Sequence, residues 1–217
     1  MIATTDWATV ATFATAIGTL VLAVATFAAV RSSNRSARIA EEAFQVNLRP
    51  VLVTSRLDDP IQKIRWVDDH WARLEGSQAS VELIDGSIYL AISLRNVGSG
   101  LAVTFGWSVL TELARVNDVP HVAPEDFRMQ TRDLYIAPAD IGFWQAAIRE
   151  AGDPDYAALS QDIRDVQPFT IDVLYGDHQG GQRTITRFGM IPRQTGDDTK
   201  WFPNVARHWN LDRPDPR

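Results

Sequence analysis

The sequence predicts a mainly β protein: an N-terminal transmembrane helix and helical stalk, followed by an antiparallel immunoglobulin-like β-sandwich with one inserted short helix. Three observations predict it. Residues 7–30 carry no charge, the hydrophobic period falls from 3.6 to 2 after Pro50, and short alternating runs recur between turn residues without crossover helices. The 217 residues hold one such domain and an appendage, and 45% hydrophobic against 22% charged residues is the balance of a folded chain. Four segments are expected: the span at 1–30, the stalk at 31–49, the sandwich at 50–198, and an aromatic tail at 199–217 packed on the domain.

The uncharged run from Trp7 to Val30 is 24 residues long, bounded by Asp6 and Arg31. As a helix it reaches about 36 Å, enough for a hydrocarbon core of ~30 Å. A cleaved signal peptide would open on basic residues and carry a shorter apolar stretch, and residues 1–6 contain no base. Arg31, Arg35 and Arg38 follow the span, with no acid until Glu41. These arginines are the expected lipid-headgroup contacts. By the positive-inside rule they place the amino terminus outside the inner (cytoplasmic) membrane and the C-terminal domain in the cytoplasm. Residues 39–217 hold 18 basic and 26 acidic side chains, a net of −8, so this body is expected to be repelled by the same leaflet and to stand off the membrane.

Within the span, Thr12, Ala16, Thr19 and Ala23 fall at alternating three- and four-residue steps on one helical stripe. Small residues let helices approach closely in lipid, so this face is a candidate for association with a second copy or another membrane protein. The competing explanation is compositional, because 19 arginines to 2 lysines and abundant alanine mark a GC-rich coding bias.

From Arg31 to Val46 the helical pattern continues, with Ile39, Ala43 and Val46 at helical spacing, until Pro50 ends it. Strands are expected at Ile88–Arg95, Leu101–Val109, Phe169–Tyr175 and Thr184–Met190. Shorter ones are expected at Val51–Arg56, Ile61–Val67 and Ser80–Ile84. The strand at Ile88 reads as half-buried. Residues 140–150 fit both a helix and a strand, and a strand is expected because the sandwich needs one there. Asp153-Pro-Asp-Tyr begins a short helix with Asp153 as its cap and Tyr156, Leu159 and Ile163 on one face. Residues 116–131 read as a long loop. Trp201 and Trp209 should dock on the domain, or else contact a partner.

Ala40-Glu-Glu-Ala43, Arg49-Pro50 and Asn96-Val-Gly-Ser-Gly-Leu-Ala102 resemble elements of uncharacterised bacterial single-pass membrane proteins. Those proteins have an N-terminal span, an Ala/Glu/Arg-rich helix and a β-sandwich with an Asn-x-Gly-x-Gly-x-Ala turn. The resemblance implies a membrane-tethered sandwich and no assigned activity. In the turn itself, Gly98 and Gly100 are expected to supply positive φ, and Asn96 to bond its own backbone. A strand follows, not a helix, so a structural turn is expected and not a phosphate cradle.

Zero cysteines exclude disulfides, thiolate metal sites and a cysteine nucleophile. Among His70, His121, His178 and His208 no pair has helical ligand spacing, and no serine elbow or Walker loop occurs. A net charge of −6 with dispersed cations argues against a nucleic-acid partner. Trp66, Asp68, Asp69, His70 and Trp71 form the densest polar cluster, a solvated loop rimmed by indoles or a ligand or metal site. The expectation is therefore a tethered domain acting by protein–protein contact, without catalysis or cofactor. The alternative is a membrane-bound sensor reading a small ligand or metal through that cluster.

Overall fold

The computed structural model describes residues 6–111, 119–196 and 198–213, with backbone alone at 42 and 45–47. It divides into two compact units, 1–46 and 47–217.

The first unit is carried by one helix. α1 runs Trp7–Asn47 without a break, so span and stalk are a single element. It starts where the Thr9 and Val10 amides bond the Asp6 carbonyl, at 3.0 and 3.2 Å. It is long and apolar enough to cross a membrane, and its apolar window is 0% buried against protein. Phe13, Leu20, Leu22 and Phe27 are each more than half exposed, a surface that water disfavours and hydrocarbon does not.

The second unit is antiparallel β structure with one further helix. In order it contains β1 (Leu52–Thr54), β2 (Gln62–Arg65), β3 (Trp71–Leu74), β4 (Ala79–Ile84), β5 (Ser87–Asn96) and β6 (Ala102–Leu110). It continues through β7 (Arg128–Ile136), β8 (Ile141–Ile148), α2 (Tyr156–Arg164), β9 (Phe169–Gly176), β10 (Thr184–Thr195) and β11 (Asp198–Asn210). Among the described residues, nine strands form one connected sheet in the order β1-β5-β4-β11-β10-β9-β6-β7, with β8 on the other edge of β5. One bridge, Trp201 to Ala79, joins β11 to β4. Ile88, Leu90, Ile92 and Leu94 of β5 share a core with Phe169, Ile171 and Val173 of β9, so the sheet closes over its own interior.

Several expectations are corrected. β5 is buried on both faces, not one. Its even-numbered side chains enter the main core, while Tyr89 and Ala91 pack under the β2–β3 hairpin with Ile64, Trp66, Ala72 and Leu74. The loop expected over 116–131 gives way to β7 at Arg128, a largely exposed strand whose polar sequence hides its period; residues 112–118 lie outside the described residues. The segment from 199 is no tail. β11 is the longest strand of the sheet and lies between β10 and β4. A bulge opposite Arg187/Phe188 adds one residue to β11 and reverses its facing. Trp201 therefore enters the main core and Trp209 the opposite face, although both are odd-numbered. The expected strand at 140–150 is β8.

α2 has the expected face, with Leu159 buried and Tyr156 and Ile163 packed on the core. Its N-cap is Asp155, and no side chain caps it. The Asp153 carboxylate instead accepts two hydrogen bonds of 2.6 Å from the Arg128 guanidinium.

The turn after β5 is structural for a reason other than φ. Neither Gly98 nor Gly100 has positive φ. They are glycines because the entering chain presses on them: a Cβ at Gly98 would overlap the Arg49 carbonyl, and one at Gly100 the Leu48 carbonyl. Asn96 locks this junction with all four of its side-chain valences. Its Nδ2 donates to the Gly100 carbonyl at 2.7 Å and the Ile136 carbonyl at 3.0 Å. Its Oδ1 accepts from the Val51 amide at 3.2 Å and the Gly98 amide at 3.0 Å. Gly100→Ala should prevent folding or cost more than about 3 kcal/mol, and Asn96→Ala should cost about that much by orphaning buried backbone groups. Gly152→Ala, with nothing within 4 Å of the added Cβ, is the neutral control. Denaturant midpoints of the three variants test this, and equal midpoints would refute the clamp.

Candidate functional site

The structure brings Trp66, Asp68 and His70 together and leaves Asp69 and Trp71 pointing away. The β2–β3 loop turns at Asp69, which adopts φ 63°, and the Trp66 amide closes it on the His70 carbonyl at 3.0 Å. Trp66 is buried, and its Nε1 donates to the Ala146 carbonyl at 3.0 Å. His70 stacks on Tyr89 at 4.1 Å, and its Nε2 lies 2.8 Å from Glu82 Oε2. Asp68 accepts from Tyr89 Oη at 2.8 Å and from Arg149 Nε at 2.7 Å. Asp69 pairs with Arg65 on the surface, and Trp71 lies outside beneath the Arg65 guanidinium, 5.4 Å from it.

Sequence reading missed Tyr89, Glu82 and Arg149, which complete this cluster. The signal available was Tyr89-x-Ala91 on the supposedly wet face of an alternating strand. Each polar group already holds a partner within the cluster, so it acts chemically as a clasp between hairpin and sheet. No group of three His, Asp or Glu able to hold a metal occurs among the described residues.

A second polar construction sits on the opposite face of β9 and β10. Arg187 and Asp172, both fully buried, make a bidentate pair with two bonds of 2.7 Å. Arg187 Nη1 also donates to the Val119 carbonyl at 2.7 Å, and the guanidinium lies 4.7 Å from the Trp209 ring. The pair thereby pins the 119–127 segment across the sheet. Trp201 and Trp209 are 5% and 8% exposed, so both are core side chains and neither presents its indole to a partner.

On α1, Thr12, Ala16, Thr19 and Ala23 are all exposed. Thr12 and Thr19 donate to their own helix at the Ala8 and Thr15 carbonyls, 2.8 and 2.9 Å away. Their hydroxyl hydrogens are thus already used, and this face offers close packing more than hydrogen-bond donation. Arg31, Arg35 and Arg38 share one exposed face with Asn34.

No protein-family model and no curated protein matches the chain. Among solved structures it is similar to a protein from Archaeoglobus fulgidus. The two are 13% identical, the match covers 65% of this chain and 98% of that one, and the TM-score of 0.26 is too low to carry an argument.

Asp68 and His208 make the domain acid-sensitive in separate windows, and Asp59, Glu75, Asp153 and Asp212, whose ion-pair partners hold them below the usual carboxylate range, add to the lower one. The Arg149 guanidinium, and then the Tyr89 hydroxyl, hold Asp68 down at about 2 against burial. Its contribution is present above about pH 4 and is lost as pH falls through about 2. Burial, and then Arg49, push His208 below the usual imidazole range. That penalty on the charged ring makes stability decline already as pH falls through about 6.5. Denaturation midpoints across pH should show both steps. His208→Gln should remove the upper one and Asp68→Asn should shrink the lower, and unchanged profiles would count against these assignments.

Proposed function

We propose that this chain is a single-pass membrane protein whose β domain works by protein–protein contact, as an accessory subunit, scaffold or adaptor without catalysis of its own. The observation that carries the reading is α1: 24 uncharged residues in one helix, with an apolar window that is 0% buried among the described residues. Bilayer hydrocarbon suits that surface, and Arg31, Arg35 and Arg38 suit lipid headgroups at its end. Their position after the span supports an inner (cytoplasmic) membrane location with the amino terminus outside and the β domain in the cytoplasm. We read the closed antiparallel sheet as an immunoglobulin-like sandwich. The motifs at 40–43, 49–50 and 96–102 support kinship with uncharacterised tethered sandwiches. The small-residue stripe Thr12, Ala16, Thr19, Ala23 is the face for a second copy or another membrane protein.

Gentle extraction of the full-length protein from its native membrane, followed by native mass and identification of co-purifying chains, tests the contact reading. A defined heteromeric complex is expected; a lone chain would sink it. Ala16→Leu with Thr19→Leu should weaken crosslinking within the bilayer, and undiminished crosslinking would remove the stripe from the account. A reporter fused after Arg217 should be active on the cytoplasmic side.

A further inference from the structure

The outward face of the β2–β3 hairpin carries charge that the fold leaves unspent. Lys63 and Arg73 are register partners on adjacent strands, and so are Arg65 and Trp71; all four side chains are exposed. Like charges directly opposite one another disfavour the pairing unless an anion lies between them. Asp69 answers Arg65, and Glu75, bonded to Lys200 at 3.1 Å, also attracts Arg73. Lys63 has no ion-pair partner among the described residues. Beside the cations, at the turn end of the hairpin, Val67 is 79% and Trp71 57% exposed.

We propose that this face docks on the headgroup layer of an anionic bilayer. The inference rests on the membrane reading above and adds to it a second, reversible contact made by the β domain. Charge complementarity selects the occupant: Lys63 and Arg73 meet lipid phosphates, Trp71 lies at the interface where an amphipathic ring is favoured, and Val67 enters the boundary below. The net −8 of residues 39–217 repels the domain as a whole from that leaflet, so the docking depends on a local charge of the other sign. The hairpin supplies a small one: over 62–74, Lys63, Arg65 and Arg73 stand against Asp68 and Asp69, a net of +1, and Arg149 from outside the hairpin pairs with Asp68. The attraction falls off within a Debye length and weakens with salt.

The test uses the full-length chain in nanodiscs of phosphatidylcholine alone and of phosphatidylcholine mixed with phosphatidylglycerol, read by amide hydrogen exchange. Exchange in the hairpin between Gln62 and Leu74 should slow about tenfold in the anionic discs and recover at high salt. Lys63→Gln with Arg73→Gln removes the like-charged pair across the strands without setting a second carboxylate near Glu75, and it should abolish the lipid difference. Trp71→Ser should reduce the protection without removing its salt dependence. Equal exchange in both discs overturns the proposal. So does protection that persists in neutral discs and in detergent, which would assign the face to a protein surface. Failure of the chain to enter discs at all would instead overturn the membrane reading, so the two failures are distinguishable.

Discussion

Asn96 has two donors and two acceptor positions, is fully buried, and has no solvent to satisfy them. Its partners come from three separated stretches: Val51 where the chain enters the domain, Gly98 and Gly100 in the turn that follows β5, and Ile136 at the end of β7. Backbone bonds extend the junction, with the Asn96 amide on the Asp140 carbonyl at 3.0 Å and the Val97 amide on the Val51 carbonyl at 2.8 Å. The turn does not make a hairpin, since β5 and β6 pair with other strands. It carries the chain from one part of the sheet to another, and a fully satisfied amide fixes that passage. The glycines belong to the same constraint, because backbone can press on backbone here only where there is no Cβ.

Around that junction the sheet is covered on its outer surfaces as well as filled within. The β2–β3 hairpin buries one outer face of β5 and β8, and the 119–127 segment covers β9 and β10. Each cover is fastened by polar groups satisfied among themselves. Asp68, Tyr89, Arg149, His70 and Glu82 hold the hairpin; Arg187 and Asp172 hold the segment. Arg187 and Asp172 are fully buried and stabilise only while their pairing is complete, so that cluster has little tolerance for single substitutions; the hairpin's ion pairs are partly exposed and fasten it less strictly. What stays outside on the hairpin is Lys63 opposite Arg73, with Trp71 beneath the Arg65 that Asp69 pairs.

Much of the architecture was legible in the sequence where a physical period was strong. The span could be read from length and the absence of charge, and β5, β6, β9 and β10 from alternation. Misreadings came where two signals overlapped. β7 is exposed and polar, so it shows no hydrophobic period; β11 contains Pro203 and a bulge, so its alternation changes phase midway. The second cover on β5 was visible only as a tyrosine and an alanine on a face expected to be wet. The polar cluster at residues 66–71 was found as a stretch of chain, while its partners Glu82, Tyr89 and Arg149 are distant in sequence and carry no local mark.

The sequence by itself determined the long apolar helix, the cationic flank behind it and the antiparallel character of the domain. Each follows from composition or spacing within a window of a few turns or one strand. Tertiary structure alone decided that Trp201 and Trp209 are core side chains on opposite faces, that Gly98 and Gly100 serve close approach and not positive φ, and that Asn96 joins the entering chain to β7. Those outcomes depend on which distant strands meet. A contact between residues tens of positions apart is set by register and packing, and nothing in either local stretch records it.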